Sequence, residues 1–258
     1  MPAVKFESYG RPPITEAVIG INFSENVGKE LLLTASDRLG KHYPVHQPLK
    51  NLSIRLNLTD QPGKRPSAVS NLAEIRGHRR SSHDMSELAL VLPDALVVSQ
   101  LAPYPSWEVF SKRFVRDWRI WKRAVGHRTV SRIGVRYINR IDIPIVNSVA
   151  EHQRYLNVFP HVPDLLSPLG AFAVQTISSF DDIKCRLTLN SAVIDSPILN
   201  HQSFILDLDI AREIDIPQAD KDIFLLLEAI RLKKNQVFEA CISQRARDEI
   251  FRGAKDAE

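Results

Sequence analysis

Between Val130 and Ile143 the sequence alternates, and the alternation puts Arg132, Arg136 and Arg140 on one face of a strand together with Asp142. Ile133, Val135, Tyr137, Ile141 and Ile143 share the other face, with Asn139 among them. Positions four apart on one strand face, as these arginines are, are separated by roughly 13 Å, an interval on the scale of every second phosphate along an extended nucleic-acid backbone. Arg55, Lys184 and Arg186 fall on the polar side of their own alternating segments. A guanidinium-rich sheet face of this kind would bind a polyanion. The same cations could be neutralised inside the fold, since Asp207 and Asp209 share the polar side of the segment Phe204 to Ile210, and Glu74 is a further partner in reach. Internal pairing, polyanion binding and catalysis stand in that order as explanations.

A second basic surface is helical. Lys112, Arg116, Arg119 and Arg123 fall opposite an apolar stripe of Phe110, Phe114, Trp118, Trp121 and Val125, with Arg113 and Lys122 adding to the charge. A solvated face is the ordinary explanation, because long cationic side chains lie over apolar surface. Asp117 is the one acid inside this helix after Glu108, so nucleic acid or an acidic protein could use the stripe. The run from Arg76 to Asp84 reads as a mobile basic loop able to contact phosphates. His78, His83 and Asp84 lack further ligands at metal spacing, so no metal is expected there. Asp207 and Asp209 point the same way and could meet one Mg²⁺, but without a third acid an arginine clamp is preferred. Glu228 and Glu239 read as surface residues of a helix. No phosphate-cradling Gly-rich loop, dinucleotide fingerprint, nucleophile elbow or His-Glu-x-x-His occurs, and no cofactor is expected.

The elements that must position these residues follow from periodicity and punctuation. A strand is predicted over residues 17–23, then a helix capped by Ser24 with Val27, Leu31, Ala35 and Leu39 inward, closed by Tyr43-Pro44. A second strand is predicted at Leu52 to Leu58 and a loop at Asp60 to Pro66. Shorter strands follow at Leu72 to Arg76, Leu88 to Leu92 and Leu96 to Leu101, the last two joined by Pro93-Asp94. The basic helix starts at Ser106 and stops at Gly126. After the arginine strand come a short helix at Ser148 to Leu156, strands near 172–177, 183–189 and 204–210, a helix from about Asp222 and a last turn capped by Ser243.

Each half reads as strand, helix, strands, helix. Ile19 to Phe23 aligns with Ile133 to Tyr137, and Ile54 to Leu58 with Cys185 to Leu189, in the same order. The expected class is α+β, with antiparallel sheets and helices on one face, built from repeats over residues 1–126 and 127–258 that form one globular unit. The order resembles the duplicated halves of TATA-box-binding-protein-like folds, which by itself implies no activity.

At 258 residues, 44% hydrophobic and 25% charged, the chain has ordinary globular composition, and its net charge of +4 leans toward a polyanionic partner. Cys185 and Cys241 sit among apolar neighbours as a reduced pair would. With no apolar leader and no run long enough to span a bilayer, a cytoplasmic location without membrane contact is expected.

Three stretches, Pro12-Pro13-Ile14-Thr15-Glu16-Ala17-Val18, Arg136-Tyr137-Ile138-Asn139-Arg140-Ile141-Asp142-Ile143-Pro144 and Val237-Phe238-Glu239-Ala240-Cys241-Ile242-Ser243, resemble a sporadically distributed prokaryotic family of about this length that has no assigned function. The resemblance implies a prokaryotic cytosolic protein, of the kind carried on mobile or defence-associated loci, and transfers no residue roles. The expected function is non-enzymatic binding or regulation through an arginine-bearing sheet face, with nucleic acid as the polyanion. The alternatives are a protein-interaction subunit and an enzyme whose site carries no recognisable motif.

Overall fold

The computed structural model describes residues 9–51, 54–57, 67–70, 74–146, 150–167 and 169–252. In chain order its elements are β1 (Ile14–Phe23), α1 (Lys29–Leu39), β2 (Val45–Asn51), β3 (Ile54–Asn57), β4 (Ser67–Ser70), β5 (Glu74–Ser81), β6 (Glu87–Leu92), β7 (Ala95–Leu101) and α2 (Trp107–Val125). There follow β8 (Val130–Pro144), 3-10 turns at His152–Arg154 and Asp164–Leu166, β9 (Ala173–Phe180), β10 (Cys185–Ile194), β11 (His201–Arg212) and α3 (Asp220–Cys241). Short helical turns at Gln244–Ala246 and Arg247–Phe251 end the described chain.

Nine strands form one antiparallel sheet in the order β2-β5-β6-β7-β1-β8-β11-β10-β9, while β3 and β4 pair separately. The α+β class is therefore as read. The seam is β1 against β8, with Gly20 opposite Gly134 and Ile19 opposite Val135. From it the sheet runs outward through β7, β6 and β5 on one side and β11, β10 and β9 on the other.

The helices cover the apolar face of the sheet. Ala17, Ile19, Ile21 and Phe23 of β1, Ile133, Val135 and Tyr137 of β8, and Phe204, Leu206, Leu208 and Ile210 of β11 are buried beneath them. Phe114, Trp118 and Trp121 of α2 close the centre, and Phe23 stacks on Trp121 with ring centroids 4.2 Å apart. The Ser106 hydroxyl accepts the Val109 N–H at 3.3 Å to start α2, and Gly126, at φ +83°, stops it in the left-handed region open to glycine. Among the described residues no helix is long and apolar enough to cross a membrane.

Several expected elements differ. α1 starts after Gly28 rather than at Ser24, and Leu32, Ala35, Ser36 and Leu39 face inward while Leu31 is exposed. β2 is an edge strand carrying Pro48, tolerated there because an edge leaves one row of N–H groups unused. The segment Ile54–Asn57 lies outside the large sheet, whereas β10 stands third from the seam, the place β6 holds in the first half. The alignment of Ile54 to Leu58 with Cys185 to Leu189 is thus not reproduced. In place of the short helix predicted before Leu156 there is a 3-10 turn at His152–Arg154. Leu52, Leu58, the loop Asp60 to Pro66, Leu72 and Ser148 lie outside the described residues.

Candidate functional site

On the open face of the sheet each arginine of β8 meets an acid. Arg132 donates to both Asp209 oxygens at 3.1 and 2.9 Å, and its Nε lies 3.4 Å from Glu213. A Cβ at Gly134 would stand 2.6 Å from the Arg132 guanidinium, so glycine at the seam leaves room for that side chain. Arg136 grips Asp207 through two bonds of 2.8 Å, and Asp207 also accepts from Asn190, which in turn accepts from Gln175 at 2.8 Å. Arg140 lies 3.2 Å from Asp142. Lys184 pairs with Asp215 at 2.6 Å, and Arg186 lies 3.4 Å from Glu213. Burial pushes the Asp209 carboxyl above its ordinary value, against the pull of Arg132 and Arg136. Arg55 sits in β3 and Glu74 in β5, but the side chains of both lie outside the described residues. A phosphate arriving on this face would have to displace a carboxylate.

The α2 stripe is organised differently. Lys112, Arg119 and Arg123 are exposed, and among the described residues none has a carboxylate within salt-bridge distance. Arg116 donates to Asp117 at 2.8 Å and to the Tyr43 hydroxyl at 3.1 Å. Arg113 and Lys122 do not add to the stripe as expected. Arg113 is buried, donating to Tyr43, the Ser99 carbonyl and Gln100, and Lys122 pairs with Asp220 at 2.7 Å. Asp117 is fully buried and accepts from Tyr43 and Arg116. Burial raises its pKa, with Arg116 and Tyr43 opposing.

Lys112, Arg116, Arg119 and Arg123 are spaced by four, three and four residues, about 6, 4.5 and 6 Å of helix rise. They overlook an open groove of about 560 Å³ whose floor includes Phe114, Val115, Ile120, Phe224 and Leu227, with His42 at its rim. Glu228, expected as a plain surface residue, instead accepts from the Trp107 indole and pins α3 to α2.

The predicted basic loop, Arg76 to Asp84, is mostly strand β5. His78 is buried against His46, with ring nitrogens 3.1 Å apart, and burial lowers its pKa, His46 and Arg80 adding to the effect. Arg80 is held by Ser36 at 2.9 Å and Asp37 at 2.6 Å. These groups brace α1 against the sheet rather than reaching for solvent.

A third place gathers residues that the arginine patterns did not single out. Pro12, Pro13 and Ile14, Tyr137 and Asn139, and Phe238 and Glu239 line one cavity of about 410 Å³, so segments from the start, the middle and the end of the chain converge there. Lys234 of α3 lines it too. Glu239 is engaged by Tyr9 and Arg247, each at 2.8 Å. Sequence reasoning passed over Lys234, although it stands in the apolar series Ile223, Leu227, Ile230, Phe238 and Cys241, where a charge is out of place.

No family model and no curated protein matches the chain. Function is therefore read from geometry and charge.

Proposed function

We propose that this protein is a non-enzymatic binding or regulatory protein of the prokaryotic cytosol that contacts nucleic acid, and that the α2 stripe is its contact surface in preference to the sheet arginines. The supporting observation is the contrast in pairing. Lys112, Arg119 and Arg123 form no salt bridge among the described residues, whereas Arg132, Arg136 and Arg140 each form one. An unpaired cation placed on a phosphate gains attraction and releases counterions, while a paired arginine must first give up its carboxylate. The two halves that frame the stripe are proposed to descend from one duplicated unit, of the kind seen in TATA-box-binding-protein-like folds.

The test is binding of single-stranded and duplex oligonucleotides across a salt series. Affinity should fall steeply with salt, and changing Lys112, Arg119 and Arg123 together to Gln should lower the log–log slope by about 2 to 3. Arg132→Gln with Arg136→Gln should leave the slope nearly unchanged. Absent or salt-independent binding would overturn the proposal.

An acidic protein partner is the alternative, favoured by the apolar floor of the groove, and such a partner would place the chain as a subunit of a mobile-element or defence-associated system. It would bury that floor and survive salt that removes nucleic acid. Stoichiometric co-purification from the native cell, combined with no oligonucleotide binding, is the result that would select it.

A further inference from the structure

Lys234 is 9% exposed, and its Nζ lies 4.0 Å from the centroid of the Tyr137 ring. Among the described residues it has no hydrogen-bond acceptor and no carboxylate within salt-bridge distance, Glu239 acting on it only from further off. Buried ammonium groups are ordinarily paired, because the charge loses its hydration on burial. The nearby acids are engaged elsewhere. Glu239 accepts from Tyr9 and Arg247, and Glu108 lies 3.7 Å from Arg231. Lys234 therefore lines the cavity with no salt-bridge partner among the described residues.

The surroundings supply what a counter-ion would need. Arg231, one turn before Lys234 on α3, lines the same cavity. The hydroxyls of Tyr104 and Tyr137 are 3.0 Å apart, and one bond between them leaves one O–H free to donate. Burial keeps both phenols protonated, holding Tyr104 up at about 12 and Tyr137 well above its ordinary value. Tyr104, Trp107 and Phe238 provide flat apolar walls.

We propose that this cavity binds a small organic anion with a flat apolar body, its carboxylate or phosphate head seated on Lys234 and Arg231 and its body against Tyr104 and Trp107. Desolvation brings the free Lys234 amine down to about 7, Arg231 pushing the same way and Glu239 opposing. Tyr137 of β8, Tyr104 before α2, Glu108 of α2 and Tyr9 complete the titratable groups around the cavity. A bound anion favours the ammonium, so binding at about pH 8 should take up a proton.

Benzoate and phenyl phosphate serve as probes that separate the two head groups, titrated calorimetrically in buffers of different ionisation enthalpy. At least one should bind with proton uptake at about pH 8, and Lys234→Met should weaken it about tenfold or more. Arg231→Gln should weaken it less, and the proton uptake of the parent protein needs no variant at all. If neither probe binds at about 10 mM, or if Lys234→Met binds as well as the parent, the proposal is wrong.

Discussion

Lys234→Met should be more stable than the parent protein at neutral pH. The amine falls from 10.5 to about 7 in the folded chain, which at about 1.4 kcal/mol per pH unit bounds the gain at about 5 kcal/mol. The direction follows from proton binding. Below about pH 7 the lysine is charged in both folded and unfolded chains, and the full cost of burying it is present. Between about pH 7 and 10 the folded protein releases the proton while the unfolded chain keeps it, so the parent gains stability as pH rises. The advantage of the methionine variant should shrink across that window and vanish above it. Urea midpoints at several pH values measure this, and a variant less stable than the parent at neutral pH would contradict it. A stability cost of this kind is one that binding sites commonly carry.

Asp117→Ala should do the opposite, lowering stability by about 3 to 5 kcal/mol. Asp117 is fully buried and accepts from Tyr43 and Arg116, and Arg113, itself 6% exposed, donates to the same Tyr43 hydroxyl. Removing the carboxylate leaves two guanidinium groups and a phenol around a void, and Arg113 Nε already has no acceptor. The two experiments separate a buried charge that is held from one that is not. A reduced urea midpoint at unchanged slope is the expected signature, and a loss below about 1 kcal/mol would show that the network relaxes at little cost.

Much of the scaffold was legible because its strongest elements announce themselves locally. β8 alternates over its length, α2 has its cap, its stripe and its terminal glycine, and Ser243 accepts from Ala246 N–H as its position suggested. β2 was not legible, since Val45–Asn51 contains Pro48 and no alternation, and only its place at the sheet edge makes it a strand. β5 was read as strand only to Arg76, and the rest as loop because its charges looked solvated. Their partners, Ser36, Asp37 and His46, are contributed by distant segments that local pattern does not connect. For the candidate site, the arginine positions were readable but their pairing depended on register. Asp209 stands opposite Arg136 on the neighbouring strand yet bonds Arg132, a diagonal choice set by side-chain reach. Asp117 and Lys234 did leave a trace, each being a charge inside an apolar helical stripe.

The seam between β1 and β8 joins residues more than a hundred positions apart. During synthesis β1 can pair with β7 as soon as the first half leaves the ribosome, but its other edge stays open until Val130–Pro144 emerges. For that interval the nascent chain offers an unpaired, largely apolar strand to its surroundings, the condition under which strands of neighbouring chains join. The second half is thus the first half's protection against its own copies.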